Sequence, residues 1–298
     1  MTIEIKSEKK FKPKPRKNYK KMNKNAVVLN KLSRSYKQTS IENAILKLLK
    51  GFPERVAKKL FSDDIIQSIQ EYANSVSIKR LTMNDHGPVH MRIAMLNSIA
   101  IFKLLVEAGI KPSLVSENFG TEADSMVAVM MAAFLHDIGM SIGRQNHNLM
   151  SSILVQPHLD RLLSEFYPDK KREVVMRSII TEGIVGHMAT QKISSIEAGI
   201  VLVSDGCDMI GGRARIPMKI ASKKAHVGDI HRYSAASITD VQITKGSEKP
   251  VRIVIKMSES AGFFQIENVL MPKIMASPIK NYIELYALCN RLEPLQYL

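Results

Sequence analysis

Apolar residues recur at helical spacing through most of the first 220 positions of this 298-residue chain. Between Ile41 and Leu49, for example, the apolar side chains fall on one face of a helix, as the period of 3.6 residues requires. Further helices are predicted over residues 53–69, 86–106, 121–135, 146–165, 170–188 and 194–210. We therefore predict an all-helical body at residues 41–222.

Several of these helices carry recognisable end signals. Pro53 suits a first helical turn, where its missing N–H would have no partner. Gly109 is placed to end the helix over 86–106, because glycine adopts the left-handed conformation of many helix C-termini. Thr121 and Asp124 have the spacing of a capping box, which predicts a helix start at 121.

The pattern changes after about residue 225, where apolar and polar residues alternate. Ser237–Thr244 and Val251–Met257 read as strands joined by a turn, and a short helix over Val269–Met275 precedes a third strand at Tyr282–Leu288. We predict a mainly α fold, a helical bundle with a small C-terminal α+β lobe of order β-β-α-β at residues 223–298.

The net charge of +15 belongs mainly to the N-terminus. Residues 1–40 contain 13 lysines or arginines and two glutamates, so they account for +11 of the total. A basic segment of this kind is predicted to be a flexible tail that attracts polyanions. A contact with RNA or an acidic partner, or docking to another subunit, is the alternative.

The number of cysteines and the hydropathy of the chain indicate the cell compartment in which the protein is expected. Cys207 and Cys289 are the two cysteines, which argues against a disulfide framework or a thiolate zinc site. We find neither a secretory signal nor an apolar run of about 18 residues, the length that spans a bilayer. We expect a cytoplasmic protein without a membrane partner.

The dipeptide His136-Asp137 follows the apolar run of the helix over 121–135. Burying an imidazole beside a carboxylate is costly unless a partner compensates, and a divalent cation is the simplest one. Similar candidates stand near other helix ends, namely His90, His147, His187 and Asp205. Ligands without thiolates suit Mn, Fe, Co, Ni, Zn or Mg, so the residue types predict a metal without identifying it.

Residues 84–217 resemble the HD superfamily of metal-dependent phosphohydrolases. The likeness rests on the order His…His-Asp…His…His…Asp around Leu-His-Asp-Ile-Gly at 135–139. Asn-Asp-His-Gly-Pro-Val-His at 84–90 and Gly-Gly-Arg-Ala-Arg-Ile-Pro at 211–217 resemble an archaeal-type branch of phosphatases, phosphodiesterases and nucleotidases. The lobe also resembles that branch.

The resemblance implies two neighbouring metal sites. The first would be held by His90, His136, Asp137 and Asp205. Asp208 could be mistaken for Asp205, but Asp205 fits the family pattern better. In two-metal members the dyad aspartate bridges, and the second ion is held by further histidines, here His147 and His187.

The same likeness implies that the protein hydrolyses a phosphomonoester or phosphodiester, in the first place one of a nucleotide. It also implies that Asp137 is a catalytic residue. Two cations lower the pKa of a water between them and neutralise phosphoryl oxygens. His86 matches the histidine that protonates the leaving group in cyclic-nucleotide phosphodiesterases, with a cap or substrate hydrogen bond as the alternative. Candidate phosphate contacts are Arg144, Arg213 and Arg215.

Two other functions stay open at this stage. Some proteins of the HD fold use this ligand set to activate O₂, so the chain could be a diiron oxygenase. A non-catalytic nucleotide or RNA sensor is the other alternative, and it would account for the basic tail. Met140 stands where cyclic-di-GMP phosphodiesterases have lysine, which disfavours that subfamily. His158, His226 and His231 are predicted to be structural, and a homo-oligomer is possible.

Overall fold

The computed structural model describes residues 34–210, 229–290 and 293–298. The helical body consists of α1 Tyr36–Leu48, α2 Phe52–Ser62, α3 Asp64–Ser75, α4 Pro88–Glu107, α5 Ser113–Ser116, α6 Glu122–Leu135, α7 His147–Leu154, α8 Gln156–Phe166, α9 Lys170–Gly186 and α10 Ile196–Gly206. A π-helical turn, Val76–Arg80, follows α3, and a 3₁₀ turn, Ile138–Ser141, follows the dyad. The helix α1 begins inside the segment predicted as a tail, of which residues 1–33 lie outside the described part.

Two of the predicted helices are each divided in the structure. The prediction of one helix over 53–69 is wrong, because Asp63 ends α2 and caps α3 by accepting from the amides of Ile65 and Ile66 at 3.2 and 3.0 Å. The helix expected over 146–165 likewise becomes α7 and α8. Pro157 stands in the first turn of α8, where the chain needs no helical N–H from it.

Other predicted ends agree with the structure. Thr121 and Asp124 form the reciprocal capping box that starts α6. Gly109 has φ of +80° just past the end of α4, a conformation that costs glycine little.

The central helix of the body is α6. Every residue from Asp124 to Leu135 is buried, and the helix contacts α4, α9 and α10. A helix that is apolar all round belongs in a core rather than at a surface. These three neighbours of α6 carry or adjoin the candidate ligands His90, His187 and Asp205, so the core positions much of the site.

Within the part of the chain that the structure describes, two stretches, Pro88–Glu107 and Glu122–Ser141, are long and apolar enough to cross a membrane by length and composition. Their most apolar windows are 56% and 94% buried inside the protein. Such burial is typical of core helices in a soluble protein. The cytoplasmic location of the chain stays a prediction.

The C-terminal lobe has the predicted order β-β-α-β and adds a short fourth strand. Its elements are α11 Asp229–Ser237, β1 Ile238–Lys245, β2 Val251–Met257, α12 Phe263–Gln265, a π-helical turn Ile266–Leu270, α13 Met271–Ala276, β3 Ile283–Cys289 and β4 Leu295–Gln296. The sheet order is β1-β2-β3-β4, with β2 and β3 parallel and the other pairs antiparallel. A parallel pair needs a crossover, and the helices α12 and α13 supply it.

The lobe packs against the helical body at two helices. The strands β1 and β2 contact α4, and α13 contacts α10. Alternate residues of β2, such as Ile253 and Ile255, are buried and give the sheet its apolar face. A mainly α protein with a small C-terminal α+β lobe is therefore confirmed.

Candidate metal centre

Five helix ends meet at one buried point. His90 lies in the first turn of α4, the dyad follows the last residue of α6, and His147 is the first residue of α7. His187 follows the last residue of α9, and Asp205 stands in the last turn of α10. The structure thus brings together all six residues predicted to be ligands.

The close approach of α7 to the dyad depends on a glycine. A Cβ at Gly139 would lie 2.1 Å from the carbonyl oxygen of His147, a distance at which atoms overlap. The Gly139 amide also donates to the Ser151 hydroxyl at 2.8 Å. The Ile-Gly that follows the dyad therefore lets His147 come within reach of Asp137.

The first group of ligand atoms surrounds one oxygen of the dyad carboxylate. The Nε2 atom of His90 lies 3.2 Å from Asp137 Oδ2, 3.1 Å from Asp205 Oδ1 and 3.1 Å from His136 Nε2. The His136 Nε2 atom lies 3.5 Å from Asp137 Oδ2 and 3.4 Å from Asp205 Oδ1. Two imidazoles and two carboxylates thus converge on one point, which we call set 1.

A second group surrounds the other oxygen of the same carboxylate. Asp137 Oδ1 lies 3.1 Å from His147 Nε2 and 3.5 Å from His187 Nε2. The two imidazole nitrogens are 3.0 Å apart. These three atoms form set 2, and Asp137 presents one oxygen to each set.

The spacing within each set fits coordination to one cation. Donor atoms about 2.1 Å from a metal lie roughly 3.0–3.4 Å apart at octahedral or tetrahedral angles. Contacts between neighbouring atoms of the two sets range from 3.0 to 3.5 Å. Three overlapping His/Asp groups are also close enough to ligate an ion. The residues present therefore fit divalent metals.

The outer nitrogen of each histidine in the sets faces an acceptor. His136, His147 and His187 direct Nδ1 at the carbonyls of Ala133, Arg144 and Ile184, at 2.7–2.9 Å, and His90 directs Nδ1 at Asp208 Oδ2, at 2.7 Å. Partners of this kind keep Nδ1 protonated and leave the Nε2 lone pair for a metal. All four rings thus present an acceptor to the centre.

The electrostatics of the cluster favour positive charge. Burial lowers the pKa of His136, but the nearby Asp137 and Asp205 outweigh it and raise the pKa to about 9. Burial and the charge on His136 lower the pKa of His187 to about 4. A proton on His136 would relieve the crowding of acceptors in set 1.

The two aspartates stay ionised in this environment. Burial alone would raise the pKa of Asp137, but His136 and the other imidazoles hold it well below its usual range. Burial opposes ionisation of Asp205 as well, and the charge of Lys273 outweighs it. Two buried, ionised carboxylates give the cluster negative charge that can attract a divalent cation.

His86 lies beside set 1. The helix α4 starts at Pro88 with Gly87 as its N-cap, so the helix predicted over 86–106 begins two residues later than expected and His86 precedes it. Its Nδ1 nevertheless lies 2.7 Å from Asp137 Oδ2, and its ring centroid is 5.6 Å from that of His90. The side chains of His86 and Asp205 are 12% and 11% exposed, against 0–2% for the other five residues of the cluster.

The predicted phosphate contacts are only partly described. The backbone carbonyl of Arg144 accepts from His147, and its side chain is half-buried. Arg213 and Arg215 lie outside the described residues, as do His226 and the side chain of His231. His158 stands on α8 and takes no part in the two sets.

Sequence reasoning missed two partners of the ligands. Asp208 is not an alternative to Asp205 but the carboxylate behind His90. Lys273, on α13, donates to Asp205 Oδ2 and, at 2.9 Å, to the His187 carbonyl. Neither role has a local signal, because each depends on the packing of distant segments.

Comparison with known proteins finds a relative that matches most of the chain. The chain is 37% identical over 255 residues to the uncharacterized protein MJ1020 of Methanocaldococcus jannaschii, and the match covers 84% of this chain and 94% of that protein. No protein-family model matches the chain. No solved structure matches it either.

Proposed function

We propose that the chain, which belongs to the same family as MJ1020, is a phosphohydrolase whose His/Asp cluster binds two divalent cations. The substrate is a phosphomonoester or phosphodiester, above all one carried by a nucleotide. The proposal also draws on the resemblance of residues 84–217 to the HD superfamily.

One observation carries this proposal. The Asp137 carboxylate has Oδ1 3.1 Å from His147 Nε2 and Oδ2 3.2 Å from His90 Nε2. A carboxylate that faces one set of imidazoles with each oxygen could hold two adjacent cations, which supports the proposal. Cations held in this way lower the pKa of a water and neutralise phosphoryl oxygens.

The protein side chains have separate tasks in this reaction. The Nδ1–H groups of the four ligand histidines hold their rings in place through the outer acceptors. His86 stands at the more exposed side of the cluster, where a leaving group can approach. Histidine is a common general acid in enzymes, and this position suits His86 to protonate the leaving group.

The arginines suit the substrate more than the metals. A guanidinium binds phosphate oxygens through a planar fork of donors. Arg144 is tied to the cluster through its backbone contact with His147. We assign Arg144, Arg213 and Arg215 to the substrate's phosphate.

The proposal is tested by a metal-supplemented screen of nucleoside monophosphates, cyclic nucleotides and a chromogenic phosphate ester. Asp137→Ala and His136→Ala should each lower kcat/KM by more than the roughly 10–100-fold that loss of an outer-shell partner costs. His158→Ala is the matched control, since it removes a histidine outside the cluster, and should retain full activity.

Three outcomes would contradict this function. Full activity in Asp137→Ala would place the reaction elsewhere. Oxygen consumption by an iron-loaded protein without phosphatase activity would favour the diiron oxygenase. Nucleotide binding without turnover in any metal would favour a sensor.

A further inference from the structure

The C-terminal lobe reaches the metal cluster through one side chain. Lys273 stands on α13 and is buried, although it belongs to the lobe and not to the helical body. Its ammonium donates to Asp205 Oδ2 and to the backbone carbonyl of His187, the latter at 2.9 Å. The Lys273 ammonium therefore contacts the side chain of a residue of set 1, Asp205, and the backbone of a residue of set 2, His187.

We propose that Lys273 is a positioning residue of the metal centre. It holds Asp205 with Oδ2 turned outward, which leaves Oδ1 as the single oxygen directed at set 1. The same ammonium fixes the end of α9, where His187 leaves the helix. This inference rests on the proposed function, because it assumes that the cluster binds metal.

The two carboxylate oxygens of Asp205 have different partners. Oδ1 lies 3.1 Å from His90 Nε2 and 3.4 Å from His136 Nε2, whereas Oδ2 faces Lys273. A carboxylate with one oxygen engaged by a buried cation cannot rotate freely. Partners of this kind orient a ligand and influence its affinity for the metal.

The helix α10 makes room for the lysine stem. A Cβ at Gly206, the residue after Asp205, would lie 3.1 Å from Lys273 Cδ and 3.0 Å from Leu270 Cδ1. Seven residues earlier, on the same face of the helix, a Cβ at Gly199 would lie 2.7 Å from the Ser277 hydroxyl. Two glycines at this spacing let α13 and the turn after it approach α10 closely.

A structural alternative is weaker on these observations. A lysine that served packing alone would be expected to extend its ammonium to water, as long basic side chains generally do. Lys273 instead buries its ammonium between two groups of the cluster. Its 10% side-chain exposure is close to the 11% of Asp205, so the two groups lie at a similar depth.

The test measures metal binding, not turnover. Purified metal-free protein is titrated with Mn²⁺ by calorimetry, and Lys273→Met should bind about 10–100-fold more weakly than the wild type. Lys273→Gln keeps a donor near both oxygens and should lose less. Lys280→Met is the matched control, because it removes an exposed lysine of the same lobe, and should bind as the wild type does.

A double-mutant cycle separates positioning from general packing. If Lys273 acts through Asp205, then Lys273→Met should cost little further affinity in an Asp205→Asn background. The same loss in both backgrounds, or unchanged or tighter binding by Lys273→Met, would overturn the inference. If Lys273→Met does not fold, the Lys273→Gln variant is put through the same cycle.

The outcomes also distinguish this inference from the proposed function. A wild-type protein that binds no divalent cation would refute both. A wild type that binds Mn²⁺ and a Lys273→Met protein that binds it equally well would refute only the role of Lys273.

Discussion

His90 and Arg92 stand two residues apart on α4, and both side chains are fully buried, yet their surroundings differ in kind. The Arg92 guanidinium donates to Glu42 at 2.7 Å, to Gln67 at 2.8 Å and to Gln70 at 3.0 Å. It also donates to the Pro88 carbonyl and lies 4.9 Å from the Phe134 ring. Donors there meet acceptors, so that cluster is complete.

The cluster around His90 has the opposite composition. The Nε2 atoms of His90 and His136 face each other at 3.1 Å, and those of His147 and His187 do so at 3.0 Å. Carboxylate oxygens fill the space between the pairs. Acceptors there face acceptors, and a cation is the partner that would reconcile them. The balance of donors and acceptors thus separates a structural cluster from a candidate functional one.

The largest expected effect tests the structural side of this comparison. Arg92→Met should lower the free energy of unfolding by about 3–5 kcal/mol, because it removes the fully buried ion-pair partner of the buried Glu42 carboxylate. Urea denaturation of the metal-free protein measures it. Arg55→Met, which removes an exposed arginine that lies over a phenylalanine ring, should cost far less.

The comparison would fail if Arg92→Met cost under about 1 kcal/mol, the size of an ordinary exposed pair. Arg34 also contacts Glu42, at 3.1 Å, and could hold that carboxylate alone. The Arg92 cluster would then be redundant, not essential.

A prediction of intermediate size tests whether the cluster around His90 binds metal. Mn²⁺ at about 100 times its Kd should stabilise the wild type by about 2.7 kcal/mol for each site, since it binds the folded state alone. The His187→Ala variant lacks a candidate ligand of set 2, so Mn²⁺ should stabilise it less than it stabilises the wild type. The His158→Ala variant should keep all of the stabilisation. Urea midpoints with Mn²⁺ and with a chelator measure the difference, and identical midpoints in the wild type would contradict the assignment.

Sequence reasoning identified the candidate ligands, which the structure brings together, because their signals are local. A His-Asp dyad at the end of an apolar helix, and single histidines at other helix ends, are visible along the chain. Three of the four strands of the lobe were predicted equally well, since alternation has a period of two, but the two-residue β4 is too short to show that period. The break at Asp63 was missed because apolar spacing continues across it, and a capping side chain was not weighed against that period.

The partners of the ligands were beyond sequence reasoning for a different reason. Arg92 interrupts an apolar run, which is a visible signal, but its acceptors come from α1 and α3. Lys273 reads as one lysine among many in a basic chain, and its role appears only when the lobe docks on α10. Long-range packing decides such contacts, and no local pattern encodes it.

The smallest expected effect concerns the place where lobe and cluster meet. Gly206→Ala should leave the free energy of unfolding nearly unchanged, because alanine favours the helix by roughly 0.5–1 kcal/mol and crowding against Leu270 and Lys273 offsets that gain. Mn²⁺ binding should nevertheless weaken, by less than the roughly tenfold lower bound for losing the partner outright. Gly199→Ala crowds Ser277 instead and should leave binding intact even if it costs stability. Equal effects of the two substitutions on binding would mean that the lobe acts through packing and not through Lys273.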